Sequence, residues 1–389
     1  MEAQRKTVTA SPENSETPLE AAPSWVTPNR LFFVRNHFEA PPVGAAAWRL
    51  TLEGLVARPR SWGVAELAAM PQHSVFATVE CAGNGRSFLR EKAAGVQWGA
   101  GAIGHAEWTG VRLRDLLQPA GLGAGVLEIV FEGADRGTEP DHPEPMAFSR
   151  SLPLAKALDP DTIIALRMNG EPLDGNHGAP LRLFVPGWYG VASVKWLRTI
   201  RAIDHAYPGY FQTVKYSIDR GAAGAKRRVP LGPGVVKSEI LFPPVGASLS
   251  LAPQRIAGIA WAGEERIAGV DVSTDGGKSW QLARLGGPRQ PYSWCRWEHD
   301  WTPAAEGEHT LMARAHTESG QAQPFDYNPD NLGYLINLVV PRTVRVQAAA
   351  PVATPPNAID WIETMQDFAV ANTRRGLDVE LAFSGGEGI

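Results

Sequence analysis

Residues 75–87 read Val75-Phe76-Ala77-Thr78-Val79-Glu80-Cys81-Ala82-Gly83-Asn84-Gly85-Arg86-Ser87. The β-branched and aromatic run Val75 to Val79 predicts a short buried strand, and Ala82-Gly83-Asn84-Gly85 is turn chemistry. Cys81, one of 2 cysteines in the chain, is thereby set at the C-terminal edge of a strand, where sites are commonly built. A thiol in that place has two readings. Free cysteine is among the most buried residue types and behaves as a small hydrophobe. A thiolate beside a glycine-rich turn and Arg86 is also a soft metal ligand, its negative charge stabilised by the arginine and the turn amides.

Around this stretch the chain is ordinary. It has 389 residues, 44% hydrophobic and 20% charged, enough for two or three domains with real cores. A net charge of -4 argues against a nucleic-acid partner, which needs clustered Lys and Arg. No run approaches the roughly 18 apolar residues of a membrane span, so no membrane partner is expected. The cysteines form no Cys-x-x-Cys, haem-attachment or zinc spacing. Cys295, within Tyr292-Ser293-Trp294-Cys295-Arg296-Trp297, is expected to pack in a core. Residues 1–24 are rich in Ser, Thr, Pro and Glu and predict a disordered lead. They hold no apolar signal core and no twin arginine, so a cytoplasmic location is expected, or a periplasmic one where a signal has been removed.

Residues 25–240 mix strand-like runs (Trp48 to Leu52, Val126 to Phe131, Ile163 to Leu166, Leu181 to Val185) with short helical patterns such as Val111 to Leu117. The strands do not alternate with long helices, which predicts an α+β domain. Residues 221–234 read as a linker. Over residues 246–347 short strands recur at regular spacing: Arg266 to Ser273, the turn Thr274 to Lys278, Ser279 to Leu282, and His309 to Thr317. That predicts an all-β, immunoglobulin-like sandwich of about 100 residues. Residues 348–389 form a C-terminal extension with one helical pattern, Ala358 to Asn372.

Three other segments carry chemistry-bearing residues: Phe33-Val34-Arg35-Asn36-His37, Asn176 through Gly190 followed by Lys195, and Tyr210 through Tyr216. Each is weak alone, because a lone His or Tyr is more often a satisfied structural group. Together Arg35, His37, Arg86, His177, Arg182 and Lys195 make a set suited to a phosphorylated cofactor or a small oxyanion. The alternative is a solvated charge pattern.

Thr78 to Ser87, His177 to Trp196, Phe33 to His37 and Val270 to Trp280, with Gly95-Val96-Gln97-Trp98 and Phe131 to Asp135, together resemble the sulfite oxidase family of molybdenum enzymes, in the family's order. The resemblance runs from about residue 28 to 345. It implies molybdenum held by molybdopterin, a pyranopterin dithiolene, with Cys81 matching the protein's own metal ligand. Arg35, Asn36, His37, Asp135, His177, Arg182 and Lys195 match residues that hold the pterin and its phosphate, and the 18-residue gap from His177 to Lys195 matches too. Tyr216, Arg35 and Arg86 match the active-site tyrosine and two arginines lining the anion pocket.

The implied reaction is oxygen-atom transfer to sulfite, giving sulfate. Electrons then pass to an external acceptor, whether a cytochrome, another carrier or dioxygen, since no haem motif is present. A homodimer through the sandwich is implied. A related oxidoreductase acting on another oxyanion or on protein-bound sulfur, or a subunit active only with a redox partner, are the alternatives. Three departures reshape the anion pocket and permit another substrate: Ala94 stands where vertebrate members have lysine, Asn331 to Asn337 lacks an arginine found there, and Lys215 replaces a usual acid before Tyr216.

Overall fold

The structure, a computed structural model, describes residues 3–21, 24–42 and 44–348. The helical pattern expected at Ala358 to Asn372 lies outside the described residues. Two five-stranded sheets build the first half. In one, the strand His73–Glu80 pairs antiparallel with Ile103–Arg112, which pairs with Ile163–Met168. Arg182–Phe184 and Glu171–Pro172 also pair with Ile163–Met168. Strand Ile103–Arg112 approaches its neighbour so closely at Gly110 that a Cβ would lie 1.9 Å from the Ile164 carbonyl oxygen, so no other residue fits. The second sheet orders Arg60–Gly63, Arg49–Gly54, Leu197–Ile203, Glu128–Glu139 and His142–Pro153. Its one parallel pair is Arg49–Gly54 with Leu197–Ile203.

Helix is sparse. The longest described helix is Leu113–Ala120, 8 residues, two residues later than the pattern at Val111 predicts because Val111 and Arg112 close the preceding strand. The strand runs read from the sequence are present, with boundaries shifted by a residue or more.

Two readings are corrected. Residues 6–16 are ordered: Lys6–Thr9 and Asn14–Glu16 form a hairpin whose second strand pairs with Val34–Arg35. Asn14, Ser15, Glu16 and Thr17 are buried. Composition alone pointed to disorder because the partners that bury these polar residues are distant in sequence: Thr17 N–H donates to the Gly101 carbonyl and its hydroxyl to that of Ile103, at 2.8 and 2.7 Å. The expected linker at 221–234 is partly structured as well, since Arg227–Pro230 pairs with Ser217–Arg220.

The second half is sheet-rich throughout. Lys237–Phe242, Gln254–Trp261, Cys295–Trp301 and Arg284–Gly286 form one sheet, and Ser248–Leu249, Arg342–Val346, Gly307–Thr317, Ile267–Ser273 and Gln281–Leu282 the other. They share a core containing Ile256, Val270, Trp297, Leu311 and Val344. Cys295 is buried there, and burial pushes its thiol up to about 12, as expected for an inert core cysteine. Trp25, Phe76, Ile103, Ile259, Trp261 and Trp294 pack as a separate apolar cluster joining the two halves.

Candidate active site

Strand His73–Glu80 ends one residue before Cys81, and its apolar run delivers the thiol to a cleft. Cys81 N–H donates to the Ala102 carbonyl at 2.9 Å, and the Cys81 carbonyl accepts from Asn84 N–H at 2.8 Å. The turn then reverses through Gly85, φ +92°, a left-handed conformation that glycine adopts without penalty.

Arg35, His37, Asp135, His177, Arg182, Lys195 and Tyr216 line the same cleft as the sulfur. Residues more than 180 positions apart in sequence thus converge on one cavity. Tyr216 and Trp196 stand at its wall with φ +53° and +49°, conformations uncommon for bulky residues and found where the surroundings over-determine them.

On one side sit the groups for an anion. An Arg35 Nη atom donates to Asn14 Oδ1 at 3.2 Å, and the other lies 3.0 Å from His37 Nδ1 and 3.5 Å from the Tyr216 hydroxyl. Burial works against the Arg35 cation, but Tyr216, the Cys81 sulfur and Glu139 outweigh it and hold the guanidinium above its usual range. Burial, reinforced by Arg35, Lys195 and Lys215, pushes His37 well below the usual imidazole range. At neutral pH His37 is therefore an uncharged acceptor. Burial also raises the Tyr216 phenol against the opposing pull of Arg35, keeping it protonated.

On the other side a second cationic set surrounds unsatisfied polar atoms. Lys195 Nζ donates to the Asn36 side-chain oxygen and, at 2.8 Å, to the Asn176 carbonyl. Arg182 donates to the carbonyls of His177 and Ser193 at 3.1 and 2.9 Å. The His177 ring donates through Nδ1 to Asp174 at 2.9 Å, which leaves Nε2 facing the cleft. That Nε2, Asp135 Oδ1 and Arg182 Nε are buried without a hydrogen-bond partner in the protein. Burial, added to repulsion from Arg182, pushes Lys195 well below the usual lysine range, and burial pushes Asp135 up to about 7 against the pull of Lys195. Cations lining a cleft together with orphaned polar atoms fit a bound group that is anionic and rich in donors and acceptors.

Among the described residues no three His, Cys, Asp or Glu side chains converge as a metal site. A metal beside Cys81 would draw its other ligands from a cofactor, and soft dithiolene sulfur suits the softness of thiolate. The site therefore fits a molybdopterin.

Arg86 is placed differently from expectation. It is not among the residues lining the cleft, although its charge still acts on Tyr216. Its guanidinium donates to the Gly333 carbonyl through Nε and Nη2 at 3.1 and 2.9 Å, and to the Val96 carbonyl at 2.7 Å. Three of its five N–H donors are used this way, two of them stapling the cysteine turn to the loop 331–337. Asn36 also reaches the site indirectly, through Lys195 and Asn176. Lys215, the extra cation, lies 3.9 Å from Glu139 and 3.8 Å from Asp141 at the tip of the long hairpin Glu128–Glu139 and His142–Pro153. Sequence reasoning missed Glu139, whose carboxylate lies 3.7 Å from His37 Nδ1, and Asp174, which carried the signal of standing three residues before His177.

Comparison with known proteins decides the family. The model for the oxidoreductase molybdopterin binding domain matches residues 37–211, and that for the Mo-co oxidoreductase dimerisation domain matches residues 235–340. Sulfite oxidase of Gallus gallus is 36% identical over 344 residues, covering 82% of this chain and 72% of that protein. The chain belongs to the sulfite oxidase family of molybdopterin oxidoreductases. Mitochondrial sulfite oxidase of Drosophila melanogaster is 36% identical, but the chain spans only 53% of its length. Among solved structures, the sulfane dehydrogenase SoxCD from Paracoccus pantotrophus superposes with a TM-score of 0.76 at 32% identity, covering 91% of each chain. As a family member the protein is an oxidoreductase that uses the molybdenum cofactor. Among the described residues no helix is long and apolar enough to cross a membrane.

Proposed function

We propose that this protein oxidises sulfite to sulfate and passes the electrons to an external acceptor. The observation that carries the reading is the joint placement of the Cys81 thiol, Arg35, His37 and Tyr216 on one cleft with the Asp135, His177, Arg182 and Lys195 set. When bound, the molybdenum centre supplies oxygen-atom transfer and accepts the two electrons. Arg35, Asn36, His37, Asp135, His177, Arg182 and Lys195 would hold the cofactor, with Cys81 as the metal ligand. Arg35 also holds the substrate anion, a preorganised charge that needs no reorientation during reaction. Tyr216 keeps its proton and donates it in a hydrogen bond, to His37 in the resting arrangement and to the substrate's oxygen when that is present. The test is steady-state oxidation of sulfite by molybdenum-loaded protein with an artificial acceptor. A kcat/KM of about 10⁴ M⁻¹s⁻¹ or more supports the reading, and a value orders of magnitude lower overturns it.

One observation favours a second substrate, sulfur carried as sulfane. Fewer cations than the resemblance implies are free to meet an anionic substrate: Arg86 is hydrogen-bonded to carbonyls, Lys215 is paired with Glu139 and Asp141, and the loop 331–337 offers Tyr334 and Leu335 instead of arginine. The SoxCD chain, named for sulfane dehydrogenation, matches over 91% of its length. Turnover of a persulfide substrate with none of sulfite would establish this reading over the first.

The sheet-rich second half we read as an immunoglobulin-like sandwich that joins two copies of the chain, supported by its two sheets around one core and by the dimerisation-domain match. Light scattering of the purified protein at twice the chain mass supports the dimer, and a monomer mass removes it.

A further inference from the structure

The cysteine turn is gripped from behind by the sandwich. Glu80, immediately before Cys81, is buried. Its Oε1 accepts from Lys237 Nζ at 3.1 Å, and its Oε2 accepts from Trp261 Nε1 at 2.9 Å. Lys237 Nζ also donates to the Asn84 carbonyl at 3.1 Å, and Asn84 Nδ2 donates to Glu80 Oε1 at 3.0 Å. Lys237 and Trp261 face each other across one register pair of adjacent sandwich strands. A second set of contacts comes from the loop 331–337: Leu335 N–H donates to the Ala82 carbonyl at 3.0 Å, and the Gly333 carbonyl accepts twice from Arg86. Thus Glu80, Ala82, Asn84 and Arg86, the residues flanking Cys81 on both sides, are each held by the sandwich half.

None of Glu80, Lys237, Trp261 or Leu335 lines the cleft. These groups act on the sulfur only through the backbone. The α-carbons of Glu80 and Cys81 lie about 3.8 Å apart across one peptide bond, so a displaced Glu80 carboxylate moves the thiol with it. Partners behind a metal ligand set its orientation and tune the metal, and a buried carboxylate that loses its cation does not stay in place.

We propose that the sandwich half is a structural part of the metal site, with Lys237 as the positioning residue that fixes the Cys81 sulfur through the buried Glu80 carboxylate. This rests on Cys81 being the metal ligand.

The test compares Lys237→Met, Trp261→Phe and the double variant Glu80→Gln/Lys237→Met in the full, cofactor-loaded protein. Molybdenum content, the Mo(V) electron paramagnetic resonance spectrum, kcat and KM are measured for each. Lys237→Met is expected to retain molybdenum, to shift the Mo(V) spectrum, and to lose about tenfold or more in kcat with KM nearly unchanged. Glu80→Gln/Lys237→Met, which removes the unpaired charge, recovers most of the spectrum and of kcat. Trp261→Phe, which keeps the ion pair and removes one N–H donor, shifts both in the same direction by less. If Lys237→Met does not fold, Trp261→Phe decides: a wild-type spectrum and kcat in that variant overturn the proposal. A wild-type spectrum and kcat in folded Lys237→Met overturn it equally. Molybdenum absent from loaded wild-type protein overturns the ligand assignment itself, a failure that no variant is needed to see.

Discussion

The hydroxyl of Tyr216 lies 2.5 Å from Nε2 of His37, although 179 positions separate the two in sequence. The contact joins a phenol held protonated to an imidazole held neutral, beneath the Arg35 guanidinium. Tyr216→Phe keeps the ring, which packs against Tyr334 in a tilted arrangement with centroids 5.1 Å apart, and removes only the hydroxyl. Turnover is expected to fall by roughly 10²-fold, the lower end for loss of a positioned proton-bearing group, at unchanged molybdenum content. Equal turnover in the variant would take Tyr216 out of the chemistry.

Arg35 and Arg86 should separate cleanly. Arg35→Gln removes a cation from the cleft and chiefly raises KM for an anionic substrate. Arg86→Gln loses three hydrogen bonds to carbonyls and should lower unfolding free energy by about 2–4 kcal/mol with KM within twofold. Urea unfolding and steady-state kinetics on the two variants check the division, and a large KM change for Arg86→Gln would place it back in the pocket.

Glu139 opposes anion binding. Its carboxylate supports Arg35 and Lys215 electrostatically and lies near His37. Glu139→Gln is expected to lower KM for sulfite roughly two- to fivefold, the scale of a partly exposed charge interaction. An unchanged or raised KM contradicts the assignment.

Cys81→Ser should leave the fold intact, as judged by circular dichroism and thermal unfolding, and abolish turnover, because an alkoxide is a harder ligand than thiolate. Normal activity in this variant ends the ligand assignment.

Stability should fall in mild acid. His105 is buried between Trp25 and Trp294, its Nδ1 3.1 Å from the Trp25 carbonyl and its Nε2 2.9 Å from the Ser293 hydroxyl. The carbonyl can only accept, so Nδ1 carries the proton. Burial pushes this imidazole down to about 3. A folded value below the unfolded one means that the unfolded chain binds the proton first. Stability is complete above about pH 6.5 and declines toward pH 3 by about 1.4 kcal/mol per pH unit for this group. His37 adds to the decline in the same sense. Thermal scans from pH 7 to 4 should show a falling Tm, with a shallower slope in His105→Gln.

Much of the site was legible because its residues lie in short local motifs. The run Val75 to Val79 forms a strand by its own side chains, and it places Cys81 at the strand end whatever surrounds it. His177 lies in the turn before the strand Arg182–Phe184, Arg182 opens that strand and Lys195 stands just before the strand Leu197–Ile203, so all three fall within one short stretch of chain. The lead was misread because Asn14 and Thr17 look solvent-loving until their partners at Arg35, Gly101 and Ile103 are known. The role of Arg86 is hard to read from sequence for a related reason. An arginine in a glycine turn has the same sequence signature whether its guanidinium faces an anion or a carbonyl.

The sequence by itself determined the strand, the turn, the thiol at their junction and the order of motifs that carries the family. Those depend on local backbone preference and on residue identity. Which charges stand free at the cleft was decided only by tertiary structure, since Arg86, Lys215 and Lys237 are each claimed by partners from distant segments. A side chain's charge is written in the sequence, but its availability is set by what it touches, and the fold alone brings those partners into contact.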